Sequence, residues 1–174
     1  MILSLRQLEL GKIRFDDRYT MAQLGLDEPG IEIPAGVQAK GEAELASELT
    51  GEVRLKGEII GTATSVCDRC LEPIEIPLSG PFKLSYEPRE NEPTEEEVQL
   101  TDKDAEVGYY EGDALDLADV VREQVLLALP MQKLCREECQ GLCPVCGINR
   151  NEIACQCTVQ QVDERWAALK SLKN

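Results

Sequence analysis

The sequence predicts an α+β protein, with an N-terminal antiparallel β-meander or partly closed barrel followed by helices and a cysteine-rich C-terminal region. Three observations carry this. Apolar residues alternate with polar ones through residues 31–86, the period of strands with one wet face. After residue 116 the period lengthens to that of a helix. Six of the eight cysteines then fall within residues 135–157.

Each element has its own signal. Ile13 and Phe15 mark a first strand. Val37, Ala39, Gly41, Ala43 and Leu45 form the next, followed by Val53, Leu55, Gly57 and Ile59. Ile74, Ile76 and Leu78, then Phe82, Leu84 and Tyr86, read as two more strands. Gly51, Gly61, Pro73, Gly80 and Pro81 are expected to punctuate them. The small inward residues point to close packing or curvature. Leu117, Val120, Val121, Val125 and Ala128 then share one helical face. Asp116 is suited to the N-cap, Asp119 to the first turn, and Pro130 to the stop. A second helix is expected from Thr158, with Gln161 completing a capping box and Val162, Trp166 and Leu169 as its apolar stripe. Trp166 reads as a core anchor. The resulting division is a β region over 1–86, an acidic linker or loop over 87–115, and a helix, cysteine module and C-terminal helix over 116–174.

Charge separates these parts. The 174-residue chain carries 18 Lys and Arg against 33 Asp and Glu, a formal net charge of −15. Residues 87–119 alone hold 2 basic and 13 acidic side chains, whereas 131–174 hold 6 and 5. The acidic stretch reads as a solubilising linker or long mobile loop, with a docking surface for a basic partner as the sharper alternative. Such a balance repels a bare phosphate backbone. Aromatics are 4%, too few for a base-stacking platform, and the absence of histidine excludes His bases and His metal ligands. The apolar run from Val125 to Met131 is far short of the ~20 residues of a membrane helix, and the N-terminus lacks a signal-peptide pattern. A reducing cytoplasm is the expected compartment, where many cysteines suggest metal rather than disulfides.

The cysteines carry the chemistry. Cys67-Asp-Arg-Cys70 sits in a turn between strands, and Cys143-Pro-Val-Cys146-Gly147 is a second Cys-x-x-Cys. Such a turn aims both sulfurs at one tetrahedral centre. Cys135 and Cys139 share a face if a helical turn joins them, as do Cys155 and Cys157 in an extended strand. Eight ligands make one or two structural zinc sites. The favoured partition joins Cys143, Cys146, Cys155 and Cys157, which close within a short loop. Cys67, Cys70, Cys135 and Cys139 then staple the strand region to the helical region. The alternative joins Cys67 and Cys70 with Cys143 and Cys146. A redox dithiol lacks its βαβ setting, and neither familiar ferredoxin spacing is present. No GxSxG, Walker A or dinucleotide fingerprint occurs in its proper context, so no catalytic residue and no small-molecule substrate is expected.

The string Leu126-Leu127-Ala128-Leu129-Pro130, Leu134-Cys135 to Cys139, Gly141-Leu142-Cys143-Pro144-Val145-Cys146-Gly147-Ile148-Asn149, then Cys155 and Cys157, resembles the YceD family of large ribosomal RNA subunit accumulation proteins. Cys67-Asp-Arg-Cys70-Leu71 and the acidic approach to Asp116-Leu117 fit the same pattern. The resemblance implies a bacterial cytoplasmic factor in synthesis, processing or stability of 23S rRNA, and so in large-subunit assembly. It supplies no catalytic mechanism. Three modes of action stay open. One is contact with a basic large-subunit ribosomal protein or assembly factor. Another is direct rRNA binding through the C-terminal segment carrying Lys133, Arg136, Arg150, Arg165, Lys170 and Lys173. The third is a zinc- or thiol-responsive regulator.

Overall fold

The computed structural model describes residues 1–92 and 107–157. The core of the acidic stretch and the helix expected from Thr158 therefore lie outside the described residues. The chain divides into two compact units, one of Met1–Ser65 with Glu75–Met131, the other of Val66–Ile74 with Gln132–Asn174. This differs from the expected division. The helix after residue 116 goes with the strands, and the Cys67–Cys70 turn goes with the later cysteines.

The first unit is mostly sheet with few helices. Strands β1 (Ile2–Ser4), β2 (Ile13–Tyr19), β3 (Val37–Ser47), β4 (Glu52–Val66), β5 (Pro73–Pro88), β6 (Val107–Tyr110) and β7 (Ala114–Asp116) accompany helices α1 (Leu5–Glu9) and α2 (Leu117–Ala128). The main sheet runs β2-β3-β4-β5-β6, and β1 pairs with β7 in a two-stranded sheet. No pairing of β2 with β6 closes the main sheet among the described residues.

Two strands are longer than expected. Gly61 does not end β4, and Gly80-Pro81 does not divide β5. The period of two runs through both positions without a slip. Val53, Leu55, Ile59 and Ala63 are buried along β4, and Ile76, Leu78, Phe82 and Tyr86 along β5. Proline survives inside β5 because β6 pairs only with Ser85–Pro88, leaving the edge at Pro81 open among the described residues. Alternation places the missing N–H groups of Pro73, Pro77 and Pro81 on one edge.

β6 and β7 form inside the stretch expected as a linker, and β6 joins β5 in parallel, unlike the antiparallel β2–β3 and β3–β4 pairs. The antiparallel pairing expected within residues 31–86 is seen between β3 and β4, and β6 is a strand the sequence did not signal. Tyr110 anchors β6, its buried ring donating a hydrogen bond from the hydroxyl to Gly51 O at 2.8 Å.

One row across the sheet explains its glycines. Phe15 of β2 faces Gly41 of β3, and Gly41 faces Gly57 of β4. A Cβ on Gly41 would lie 2.8 Å from the Phe15 ring, and one on Gly57 2.7 Å from the Phe82 ring. Two phenyl rings thus cover the bare backbone of two glycines.

Helix α2 buries Leu117, Val120, Val121 and Val125. Asp116 caps it, its Oδ1 accepting from Ala118 N at 3.0 Å. The helix stops at Ala128, two residues before Pro130. No helix among the described residues is long and apolar enough to cross a membrane.

Candidate metal centres

The second unit is built on two turns with one hydrogen-bond pattern. In the first, Cys67 N donates to Glu72 O at 2.8 Å and Leu71 N to Cys67 O at 2.9 Å. In the second, Cys143 N donates to Ile148 O at 2.8 Å and Gly147 N to Cys143 O at 2.8 Å. Each turn folds its two sulfurs to one side while backbone N–H groups point inward.

The remaining cysteines arrive by irregular backbone. Cys135 and Cys139 are joined by a turn in which Cys139 N donates to Arg136 O at 3.1 Å, not by the helical turn expected. Cys155 and Cys157 lie in a segment with no strand assigned.

The eight sulfurs gather in two groups of four. Cys67, Cys70, Cys135 and Cys139 form the first, and Cys143, Cys146, Cys155 and Cys157 the second, with all sulfurs of a group within 4.8 Å of one another. This grouping excludes the split arrangement of Cys67 and Cys70 with Cys143 and Cys146. All four residues of the first group lie in the second unit, so the group closes the 66–74 loop onto the segment after residue 132. The first group is largely buried, with Cys67, Cys70 and Cys139 packed against Ile74 and Leu134. In the second group only Cys143 is buried, and Cys146 and Cys157 are exposed.

The spacing suits a single ion. A tetrahedral ion with bonds of about 2.3 Å to four thiolates sets its sulfurs about 3.8 Å apart. Cys67 and Cys139 sulfurs are 3.8 Å apart, and Cys70 and Cys135 sulfurs 3.6 Å. A disulfide needs about 2.05 Å, and an iron–sulfur cluster spreads its four cysteines over several irons. Four sulfurs are also the ligand number of a structural tetrahedral site.

Local dipoles prepare the sulfurs unequally. Burial raises the Cys67 thiol, but N–H groups of Cys70, Arg69 and Cys135 outweigh it and bring it down to about 6. The N–H groups of Cys146 and Val145 lower Cys143 to about 6. Desolvation and the neighbouring Cys139 sulfur push Cys135 up to about 12, and the Cys146 sulfur does the same to Cys157. Each group thus holds at least one sulfur drawn towards thiolate and at least one held as thiol.

The surrounding polar side chains fix this geometry. Arg69 Nη1 donates to Cys139 O at 2.9 Å and Glu137 O at 3.3 Å. Asp68 Oδ2 accepts from Lys133 N at 2.7 Å, and the Lys133 ammonium lies 3.8 Å from Asp68 Oδ1. Lys133, one of six cations considered for RNA, is thus paired with an acid. Arg165, Lys170 and Lys173 lie outside the described residues. Asn149, named only as the end of the family string, and Asn151, without a signal of its own, send their amides to Glu72 and the Cys139 sulfur. An Asn two residues past another carries no chemical signature of its own.

The chain is similar to known proteins. Residues 55–173 match the family described as Large ribosomal RNA subunit accumulation protein YceD. An uncharacterized protein of Mycobacterium tuberculosis is 29% identical over 161 residues, covering 88% of this chain and 70% of that protein. YlbN of Bacillus subtilis, also named as uncharacterized, is 28% identical over 172 residues, covering 98% of this chain and 94% of its own. The chloroplastic large ribosomal RNA subunit accumulation protein YCED homolog 1 of Zea mays is 26% identical, covering 91% of this chain and 63% of its own. No solved structure matches the chain.

Proposed function

Because the chain belongs to the YceD family of large ribosomal RNA subunit accumulation proteins, we propose that it is a non-enzymatic cytoplasmic factor in large ribosomal subunit biogenesis. It supports synthesis, processing or stability of 23S rRNA through contacts with a basic ribosomal protein or assembly factor. Its two cysteine groups hold structural zinc, with Cys67, Cys70, Cys135 and Cys139 at one ion and Cys143, Cys146, Cys155 and Cys157 at the other.

The distribution of charge favours this reading. Residues 66–74 and 132–174 hold seven basic and seven acidic side chains, which cancel. The whole formal net charge of −15 therefore falls on the unit that contains the sheet. Four thiolates around one zinc dication add about −2 at each centre. The segment with the best claim to RNA thus becomes anionic once loaded. A basic protein suits such a surface, and complementary charge speeds its capture and makes it salt-sensitive.

A pull-down of the tagged chain at low salt, with and without RNase, tests the partner class. Large-subunit proteins retained after RNase support protein contact. Association that vanishes with the RNA replaces this reading with direct rRNA binding. Metal analysis of the purified chain tests zinc, with two equivalents expected. Rapid zinc loss under mild oxidant would instead favour a thiol-responsive regulator.

A further inference from the structure

We infer that the two cysteine centres load as a coupled pair, joined by the 141–151 hairpin, with Asn151 as the positioning residue that ties the hairpin to Cys139. The inference rests on the metal reading above and deepens it.

One hairpin serves both centres. Leu142 and Asn149 pair across it, and Arg150 N donates to Gly141 O at 2.9 Å. Its tip is the turn that carries Cys143 and Cys146. Its base belongs to the other centre. Leu142 N donates to Arg69 O at 2.9 Å, inside the Cys67–Cys70 turn. Asn149 Nδ2 donates to Glu72 Oε1 at 3.4 Å, while Glu72 O holds Cys67 N at 2.8 Å.

Asn151 completes the link. Its Oδ1 accepts from Gln140 N at 2.8 Å, which turns Nδ2 towards sulfur. Nδ2 donates to Cys139 Sγ at 3.3 Å and to Asn149 Oδ1 at 2.9 Å. Asn149 Oδ1 also accepts from Asn151 N at 3.1 Å. Metal at the tip fixes the hairpin, the fixed hairpin aims the amide, and the amide orients a ligand of the other centre. Coupling of this kind is reciprocal, so each centre raises the other's affinity by one factor.

The test titrates the full, reduced, metal-free chain with Co²⁺, and with Zn²⁺ against a chromophoric chelator. The wild-type chain is expected to take two equivalents. Asn151→Asp keeps the acceptor for Gln140 and loses the donor to Cys139. It should weaken the first centre by about 10- to 100-fold, as losses of outer hydrogen bonds to ligands do. Its thiolate-to-Co²⁺ charge-transfer band should move to longer wavelength, because the sulfur lone pairs lose a stabilising N–H. The pair Cys146→Ser with Cys157→Ser touches only the second centre and should also weaken the first. Tyrosine near-ultraviolet dichroism checks that the sheet remains folded. Two equivalents in the wild type with unchanged first-centre affinity in both variants would overturn the coupling alone. Lost affinity in Asn151→Asp with an unmoved band would overturn the role of Asn151. A wild-type chain that binds no metal would overturn the metal reading and the coupling together.

Discussion

Leu71 and Gly147 hold the same position in two matching turns. Each follows a Cys-x-x-Cys, and each donates its N–H to the first cysteine's carbonyl, at 2.9 and 2.8 Å. Both adopt left-handed backbone, with φ of 62° at Leu71 and 73° at Gly147. Glycine takes that conformation freely, whereas an L side chain is strained there by roughly 1–2 kcal/mol. Leu71 is 59% exposed and gains little burial in return.

Leu71→Gly is therefore expected to stabilise the metal-loaded protein. Relief of strain exceeds the extra chain entropy of glycine, leaving a gain of about 0.5–1 kcal/mol. Gly147→Ala should lose about 1 kcal/mol or more. Urea unfolding of the loaded variants measures both. A destabilised Leu71→Gly would show that the leucine side chain contributes a contact outweighing its strain.

Metal removal should loosen the second unit first. The buried cluster there is three cysteines with Ile74 and Leu134 against it, too little apolar material to hold a fold unaided. After chelation, protease should cut within 66–74 and 132–157. The dichroism of Tyr19, Tyr86 and Tyr110, buried in the sheet-containing unit, should persist. Digestion that does not change after complete chelation would refute this.

Metal affinity should fall as pH falls. Cys67 and Cys143, near 6, are thiolates at neutral pH and take up protons as pH drops through that value. Cys135 and Cys157, near 12, keep their protons at pH 7 until a metal displaces them. Loading at pH 7 should thus release at least one proton per centre. Calorimetry in buffers of different ionisation enthalpy counts those protons. Heats that do not depend on the buffer would contradict the assignment.

The glycine row should tolerate no side chain. A Cβ at Gly57 meets the Phe82 ring at 2.7 Å and Lys40 O at 2.6 Å. Gly57→Ala is expected to cost about 1–3 kcal/mol, and Phe82→Ala about 3–5 kcal/mol. The double variant should cost less than the sum, because removal of the ring relieves part of the clash. Simple additivity in urea melts would show that the ring and the glycine do not interact.

The pattern of this fold was legible where one period persists. Residues 53–65 and 74–86 keep their parity through Gly61 and Gly80, so two long strands were written in the alternation. Weighting the glycines as breaks obscured them. The helical face from Leu117 to Val125 and its Asp116 cap were equally plain, because both depend on local spacing. β6 was hidden because it is four residues long, follows an acidic run and pairs in parallel with a distant strand. In the second unit, spacing alone marked the sulfurs as candidate ligands. It could not reveal Asn151, whose role arises only when the hairpin brings its amide to Cys139.

The first centre draws its ligands from two places far apart in the chain, Cys135 standing 65 positions after Cys70. The second closes within residues 143–157. A growing chain emerges at about 5–20 residues per second. Cys67 and Cys70 therefore wait about 3–13 s before their partners exist, as two lone thiols. The second centre can fill almost as soon as it is made. The first centre still gains its last ligand, Cys139, before any cysteine of the second exists, so Cys67 and Cys70 close first and yet stand longest open to oxidants or competing metals.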